Sequence, residues 1–352
     1  MQDKLHASMF IGVQGDGIIS FGSGQPDLPP PERVYKILPE YRQFKYGLIQ
    51  GQENLRSALS KQKGFEGSDK DNFVITNGAS EALDLTFRAI CKPSDKILLH
   101  KPYYYSYVPL LKLNYIEPVF TETEKGKIQF EDFDKKVRDC KAALINSPSN
   151  PTGRIQEIST LKQIEKLCTD LNIALISDEV YKDLIYEREN YMLKGPTVIT
   201  INSFSKTYSM CGFRVGYLWS LDQELVNKII EMKTHTSMNT NILAQEMAYA
   251  ATKVPRSFID DQLRIWEKRR DMIYEGLVKL GFDLWKPEGA FYVLPKVKNP
   301  RNFVLTMFKK YKVITYLGEW FGAPNRVRFS YALDVEKIEE GLKRVKKYLD
   351  GG

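Results

Sequence analysis

Residues 198–206 read Val-Ile-Thr-Ile-Asn-Ser-Phe-Ser-Lys, an apolar run that gives way to two serines and ends on Lys206. The apolar run predicts a buried strand. A lysine held at the end of a core strand is a candidate for a depressed pKa because desolvation disfavours the ammonium, and a neutral amine forms a Schiff base with a carbonyl. Ser203, Ser205 and Arg214 are suited to holding a phosphate nearby. Taken alone, this pattern favours a solvated surface lysine, because most lysines are exposed. The assignment of Lys206 to a site therefore depends on the other motifs of the chain.

The composition is that of an ordinary globular protein, with 352 residues, 43% of them hydrophobic and 27% charged. The net charge of +7 is spread among acidic residues without a basic tail, which favours a solvated surface over a nucleic-acid interface. The four cysteines and three histidines lie far apart and show neither zinc spacing nor a disulfide framework. Residues 1–14 lack a signal-peptide core, and no apolar run reaches ~18 residues. We therefore expect a cytoplasmic protein without metal or membrane partner.

Short apolar runs alternate with amphipathic stretches along the first two thirds of the chain. This rhythm predicts an α/β fold in which helices cover both faces of a mostly parallel sheet. The predicted strands are at residues 73–75, 96–99, 116–120, 142–145, 173–176 and 198–201. Residues 260–280 then form a long charged helical pattern, and the remainder reads as a smaller α+β domain. We expect a large domain at 33–255 and a small domain at 1–32 and 256–352.

Polar residues follow several of these strands, where parallel sheets bind their ligands. Asn77-Gly78-Ala79-Ser80 places a glycine turn before a helix, which offers N–H groups to a phosphate but is also ordinary capping sequence. Residues 146–153 form a rigid loop with two Pro turns, from which Asn150 could donate its amide to a ring oxygen, although a plain loop is an equal reading. Asp178 ends another strand three residues before Tyr181 and would suit a pyridinium nitrogen, although an Asp there more often caps a helix.

Phosphate ligands, a ring-oxygen donor, a buried carboxylate and an imine-forming lysine together describe a pyridoxal phosphate site. Competing nucleotide signals are poor. The glycine run at residues 12–17 precedes no convincing helix, and no GxxxxGK[ST] motif occurs.

The chain resembles a fold-type I pyridoxal phosphate enzyme of the class I/II aminotransferase family from about residue 22 to 332. The motifs that carry the resemblance are 24–27 (GQPD), 77–83 (NGASEAL), 102–107 (PYYYSY), 149–153 (SNPTG), 178–181 (DEVY), 203–206 (SFSK), 212–217 (GFRVGY) and 326–332 (RVRFSYA). The resemblance implies a large domain with a mostly parallel seven-stranded sheet between helices, plus a smaller α+β domain. It also implies transamination, in which an α-amino acid yields its amino group to pyridoxal 5′-phosphate and a 2-oxo acid takes it away in a ping-pong cycle.

The same resemblance implies roles around the cofactor ring. Lys206 would carry the internal aldimine and shuttle the substrate proton, and Asp178 would keep the pyridine nitrogen protonated. Asn150 and Tyr181 would hold the phenolic oxygen, and Tyr104 would stack on the ring face. Tyr104 has a plainer reading, since it lies in Tyr-rich sequence and could simply pack.

The resemblance further implies the phosphate and substrate contacts. The phosphate would meet Ala79, Ser80, Ser203, Ser205 and Arg214, together with Tyr46 of the neighbouring subunit in a homodimer with shared sites. Arg328 would grip the substrate α-carboxylate, with Asn150 supporting it and Gly24 beside the substrate. Alternation along its strand would otherwise point Arg328 outward, and Tyr46 could simply pack.

Two departures bear on specificity. Residues 234–241 lack the arginine that some aspartate-specific members use, and Ser80 stands where other members carry a lysine. We therefore expect a neutral or aromatic amino donor. The fold also hosts β-lyases and decarboxylases, and a non-catalytic binding module is a further alternative.

Overall fold

The computed structural model describes residues 7–10, 12–13 and 15–351. Residues 1–6, 11, 14 and 352 belong to the predicted small domain and lie outside the described residues. The expectation about a signal peptide also falls partly on residues 1–6, 11 and 14. Within the part of the chain that the structure describes, none of the helices combines the length and the hydrophobicity that a membrane crossing requires.

The described residues form fourteen strands and twelve α-helices. The strands are β1 (Ile19–Ser20), β2 (Phe73–Thr76), β3 (Lys96–His100), β4 (Glu117–Thr121), β5 (Thr123–Glu124), β6 (Lys127–Ile128), β7 (Ala142–Asn146), β8 (Ala174–Asp178), β9 (Val198–Ser203), β10 (Gly216–Ser220), β11 (Tyr292–Val293), β12 (Val313–Ile314), β13 (Tyr316–Leu317) and β14 (Val327–Ser330). The helices are α1 (Glu32–Tyr35), α2 (Glu53–Ser60), α3 (Ala79–Ile90), α4 (Tyr107–Leu113), α5 (Phe130–Val137), α6 (Ile158–Asp170), α7 (Phe204–Thr207), α8 (Gln223–Thr234), α9 (Ile242–Ala251), α10 (Arg256–Lys279), α11 (Pro300–Tyr311) and α12 (Val335–Gly351).

The central element is a seven-stranded sheet with the order β2-β10-β9-β8-β7-β3-β4. Strands β4, β3, β7, β8 and β9 pair in parallel, and β10 pairs antiparallel with both of its neighbours. The predicted mostly parallel α/β sheet is therefore confirmed. In the register of the central pair, Asn146 at the end of β7 lies opposite Asp178 at the end of β8.

Helices cover both faces of this sheet, because its strands are apolar on both sides. In β3, Ile97 and Leu99 pack in a cluster with residues of α3, α4 and α8, whereas Leu98 between them packs in a second cluster with residues of α2, α5, α6 and α9. Alternate residues of one strand thus serve two separate cores. The layered arrangement leaves only the strand ends open to a ligand.

A third cluster lies around the three-stranded antiparallel sheet β11-β14-β13, which α10, α11 and α12 flank. The parallel pair β1–β12 brings Ile19 beside Val313, so the N-terminal part of the described chain packs with its C-terminal third. The predicted division into 33–255 and 1–32 with 256–352 is consistent with this packing and stays a prediction. Helix α10 spans 24 residues, as its long charged pattern predicted.

The sequence pattern missed the shortest elements. The hairpin β5–β6 and the strands β12 and β13 have two residues each, which is too few for a period to be visible. Helix α1 ends at Tyr35, and a 3-10 turn follows at Leu38–Glu40, where Pro39 supplies no N–H group for an α-helical hydrogen bond.

A buried ion pair joins α8 to α3. The Lys233 ammonium is fully buried, 3.1 Å from the Glu81 carboxylate and 2.8 Å from the Ser237 hydroxyl. Glu81 also accepts the Asn77 N–H at 2.6 Å, which fixes the turn before α3. A charge in such a place is stable only while its partner remains.

We expect Lys233→Met to lower the free energy of unfolding by about 3 kcal/mol, because the change leaves the Glu81 carboxylate partly buried without its cation. Urea unfolding of the purified protein measures the effect. Lys346→Met on the exposed side of α12 is the control and should change stability by less than about 0.5 kcal/mol. Equal stability of the two variants would contradict the structural role of the pair.

Candidate active site

A cavity of about 870 Å³ opens at the carboxyl ends of the central strands. Its floor includes the last residues of β7, β8 and β9, which are Asn146, Asp178 and Ser203. The three-stranded sheet closes the other side through Tyr292, Tyr316 and Arg328. The cavity therefore lies between the two sheets, at the edge where a parallel sheet offers its ligand sites.

Twelve of the thirteen predicted site residues line this cavity. They are Gly24, Ala79, Ser80, Tyr104, Asn150, Asp178, Tyr181, Ser203, Ser205, Lys206, Arg214 and Arg328. Tyr46 is the exception: it is exposed and stands outside the described lining. Side chains that are up to about 300 positions apart in the sequence thus meet at one place.

Lys206 lies in the short helix α7, directly after β9, and its ammonium donates to the Gly24 carbonyl oxygen at 2.6 Å. Burial lowers the pKa of Lys206 below its usual value, the neighbouring Cys211 sulfur at 3.8 Å offsets part of the effect, and Arg328 and Arg214 lower the pKa further. A lowered lysine pKa means a larger fraction of neutral, nucleophilic amine at a given pH. The direction agrees with the depressed pKa expected from the strand-end position.

Asp178 is buried at the end of β8, and burial raises the pKa of its carboxyl to about 6. The Tyr107 hydroxyl and the Val180 N–H, the latter at 3.2 Å, both donate to the carboxylate and counteract this rise. The positive charge of Lys206 also lowers the pKa of Asp178. Asp178 therefore presents an acceptor in a site of low polarity, which favours a cationic partner.

Arg328 is almost fully buried on β14. One Nη donates to the Asn150 side-chain oxygen at 2.9 Å and the other to the Gly22 carbonyl oxygen at 2.5 Å. Three aromatic rings lie 4.5 to 4.9 Å from the guanidinium carbon, those of Tyr292, Phe321 and Tyr316. The outward orientation that strand alternation allowed is wrong, because both faces of β14 are covered.

The Nε of Arg328 has no hydrogen-bond partner among the described residues, although it is buried. Buried N–H groups are normally paired, and an orphan needs an explanation. Since Arg328 lines the cavity, a ligand carboxylate is a fitting acceptor for this donor.

A second group of donors surrounds the start of α3. Gly78 precedes this helix with φ of +78°, and a Cβ there would come within 2.5 Å of an Arg214 Nη, so the backbone turn and the guanidinium require a glycine. No side chain caps the helix, which leaves the N–H groups of Ala79 and Ser80 available. The hydroxyls of the predicted phosphate ligands Ser203 and Ser205 bond each other at 2.7 Å close by.

The two predicted ring-contacting tyrosines have different surroundings. Tyr104 packs edge-on against Tyr105 and Tyr107, with ring centroids 4.9 and 5.4 Å apart, and still lines the cavity. Packing and a ring-facing role are thus compatible for Tyr104. The Tyr181 hydroxyl lies 2.8 Å from the hydroxyl of Tyr292.

Sequence reasoning missed Tyr107, Cys211 and Tyr292, all of which line the cavity. Tyr107 lies within the Tyr-rich motif at 102–107, but only the fold shows that it contacts Asp178 rather than its sequence neighbours. Cys211 and Tyr292 had no local signal, since one begins a three-residue 3-10 helix and the other lies in a two-residue strand.

Residues 16–345 match the family described as Aminotransferase class I and II. A probable aspartate/prephenate aminotransferase of Aquifex aeolicus is 34% identical over 97% of this chain and 93% of its own length. The crystal structure of an aspartate aminotransferase from Thermotoga maritima superposes with a TM-score of 0.90 at 32% identity, covering 95% of this chain and 92% of that one. An aromatic aminotransferase from Pyrococcus horikoshii gives 0.89 at 28% identity, with 98% and 99% coverage.

These matches extend over nearly the whole chain and include both the central sheet and the cavity. They confirm the fold-type I architecture and the resemblance that the motifs carried. The chain belongs to the class I and II aminotransferase family and is a transaminase.

Proposed function

We propose that the cavity binds pyridoxal 5′-phosphate and that the protein moves an amino group from a neutral or aromatic α-amino acid to a 2-oxo acid. The observation that carries the proposal is the meeting of a lysine of lowered pKa, a buried carboxylate and a buried arginine with an unpaired N–H in one cavity. When bound, pyridoxal 5′-phosphate supplies an aldehyde that reacts with amines and a ring that withdraws electrons.

The residues present fit this cofactor. Lys206 would offer a neutral amine to the aldehyde, and Asp178 would accept a hydrogen bond from a protonated ring nitrogen, whose positive charge would stabilise the carboxylate. Helix α3 points its N-terminus and Arg214 its guanidinium at the same part of the cavity, which suits a phosphate dianion. Asn150 and Tyr181 line the same cavity and would hold the phenolic oxygen.

Arg328 would bind the α-carboxylate of the substrate. Its two Nη atoms are fixed by Asn150 and Gly22, so the guanidinium plane is oriented before the substrate arrives and little entropy is lost on binding. The Nε, which has no partner among the described residues, would be available to donate to the incoming oxygen.

Lys206 would also move the proton in the reaction. As a neutral amine, the Nζ would serve as the base at the substrate Cα, and its lowered pKa suits the removal and return of a proton near neutral pH. The Gly24 carbonyl would accept from the resulting ammonium.

The substrate class follows from the charges that line the cavity. Among the described residues, its cationic side chains are Lys206, Arg214 and Arg328, and each already has a proposed partner. The wall beyond Arg328 is aromatic instead: the ring of Tyr316 lies 6.3 Å from Phe10 and 6.5 Å from Tyr105. An acidic side chain would lose its hydration there without an ion pair, whereas an apolar one would gain by burial.

We expect the purified protein with cofactor to show a yellow absorption band that phenylalanine bleaches and a 2-oxo acid restores. Stopped-flow absorption with phenylalanine and with aspartate compares the donors, and phenylalanine should have at least about 10-fold higher kcat/KM. A faster reaction with aspartate would overturn the substrate class and leave transamination standing. Release of ammonia with pyruvate, or of carbon dioxide, would identify a β-lyase or a decarboxylase instead.

Two lysine variants control this experiment. Lys206→Ala should lose the covalently bound band. Lys182→Ala should keep it, because Lys182 is a partly buried lysine that pairs with Asp183 and lies outside the cavity lining.

We further propose that the protein is a homodimer in which Tyr46 of each chain contacts the phosphate in the other chain's cavity. Phe44, Tyr46 and Leu48 are 86%, 84% and 58% exposed, an unusual concentration of large apolar side chains within five residues. The segment rests on α9 through Gly47, where a Cβ would lie 3.1 Å from Ile242. A second copy of the chain would bury these side chains. Its Tyr46, the one predicted ligand that does not line the cavity of its own chain, would then reach the cavity of the first copy.

We expect Phe44→Asp to produce monomers in sedimentation velocity, because a carboxylate cannot be buried at an apolar interface without a partner. Leu349→Asp, a change at an exposed leucine of α12, should remain dimeric. Tyr46→Phe should stay dimeric and bind the cofactor about 10-fold more weakly, since it loses one hydrogen bond to a charged group. Unchanged cofactor affinity in Tyr46→Phe would refute the shared site.

A further inference from the structure

Tyr292 contacts three separate parts of the site from strand β11. It is fully buried, and its hydroxyl lies 2.8 Å from the Tyr181 hydroxyl. Its ring centroid lies 4.5 Å from the guanidinium carbon of Arg328. The same hydroxyl is 3.5 Å from the Gly24 carbonyl oxygen, which accepts the Lys206 ammonium.

The approach of Tyr292 to the loop above Lys206 is close enough to determine the residue there. A Cβ on Gly24 would lie 2.5 Å from the Tyr292 hydroxyl oxygen, so any larger residue would push the tyrosine away from Tyr181. Glycine at position 24 therefore keeps the hydroxyl in reach of its partner.

We propose that Tyr292 is a positioning residue, whose hydroxyl directs the Tyr181 proton toward the cofactor's ring oxygen and whose ring holds the Arg328 guanidinium in place for the substrate carboxylate. The inference rests on the proposed function, since it assumes that the cavity holds pyridoxal 5′-phosphate and an amino acid.

The hydroxyl acts through a chain of two hydrogen bonds. Tyr181 has one proton, and once this proton is given to the cofactor, its oxygen becomes an acceptor for the Tyr292 hydroxyl. Hydrogen bonds in such a chain polarise each other, so donation by Tyr292 makes Tyr181 a stronger donor. Both side chains are buried at the cavity wall, which holds the two hydroxyls in this geometry.

The sign of the effect follows from the proton that the ring oxygen shares with the nitrogen joining Lys206 to the cofactor. When Tyr181 donates more strongly to the ring oxygen, the oxygen attracts the shared proton less. The proton then leaves the nitrogen more easily, so the pKa of the nitrogen falls. Loss of the Tyr292 hydroxyl should therefore raise the pKa at which the visible absorption band changes. Removing the Tyr292 hydroxyl should weaken the hydrogen bond from Tyr181 to the ring oxygen by ~10–30% of its strength. This loss corresponds to a pKa shift of a few tenths of a unit.

The ring acts separately from the hydroxyl. Arg328 is stacked by Tyr292 on β11 and by Tyr316 on β13, which are the two strands that flank β14. Replacing the Tyr292 ring by an aliphatic side chain removes one cation–π contact and lets the guanidinium tilt. A KM increase of about 2- to 30-fold for the amino donor is expected from such a loss.

The test titrates the absorption band of the holoenzyme against pH in Tyr292→Phe, with Tyr316→Phe as the matched control. Tyr316→Phe removes a hydroxyl from the other tyrosine stacked on Arg328 and leaves the Tyr181–Tyr292 bond intact. We expect an upward pKa shift of a few tenths of a unit in Tyr292→Phe with unchanged KM, and no measurable shift in Tyr316→Phe. In Tyr292→Leu, the same pKa shift should come with the raised KM.

The outcomes separate this inference from the proposed function. A wild-type protein without any visible band would refute the proposed function. A normal band whose pKa is the same in Tyr292→Phe as in wild type would overturn the positioning role alone, as would an equal shift in Tyr316→Phe. In a Tyr181→Phe background, Tyr292→Phe should cause no further shift, and an additive shift would also overturn the proposal.

Discussion

The hydrogen bond from Arg328 to Asn150 joins the two sheets that enclose the cavity. Arg328 belongs to β14 of the three-stranded sheet, and Asn150 lies in the loop after β7 of the seven-stranded sheet. A guanidinium so deeply buried is tolerable only with several partners, which here are Asn150, the Gly22 carbonyl and three aromatic faces. This single contact sets the distance between the group proposed to bind the substrate and the groups proposed to bind the cofactor.

One physical cause, burial, tunes the two central ionisable groups in complementary directions. It lowers the pKa of Lys206 and raises the pKa of Asp178 to about 6, because a site of low polarity disfavours both charges. Each group is thereby prepared for a specific partner: the lysine for a carbonyl carbon and the carboxylate for a cationic ring nitrogen. Perturbed pairs of this kind are concentrated in catalytic sites.

Local order in the sequence predicted the central sheet and the strand-end residues of the cavity, whereas Gly24, Tyr104 and Arg328 came from the family resemblance. Alternating apolar runs are visible without a structure, and parallel strands necessarily bring their carboxyl ends to one edge, which is why Asp178, Asn150 and Lys206 could be grouped. The contacts that cross the cavity were out of reach. Tyr107 meets Asp178 from 71 residues away, and Tyr292 meets Tyr181 from 111 residues away, so no periodicity relates them. Alternation along β14 alone would have pointed Arg328 outward, because it describes one strand and not the layers packed on it, and only the family resemblance assigned Arg328 to the site.

The central claim is that Lys206 holds the cofactor, and reductive trapping tests it most directly. Borohydride reduction of the holoenzyme followed by peptide mapping locates the lysine to which the cofactor becomes fixed. The account predicts a single modified peptide that contains residues 203–206, with the added mass on Lys206. Modification of any other lysine with Lys206 left unmodified would contradict it.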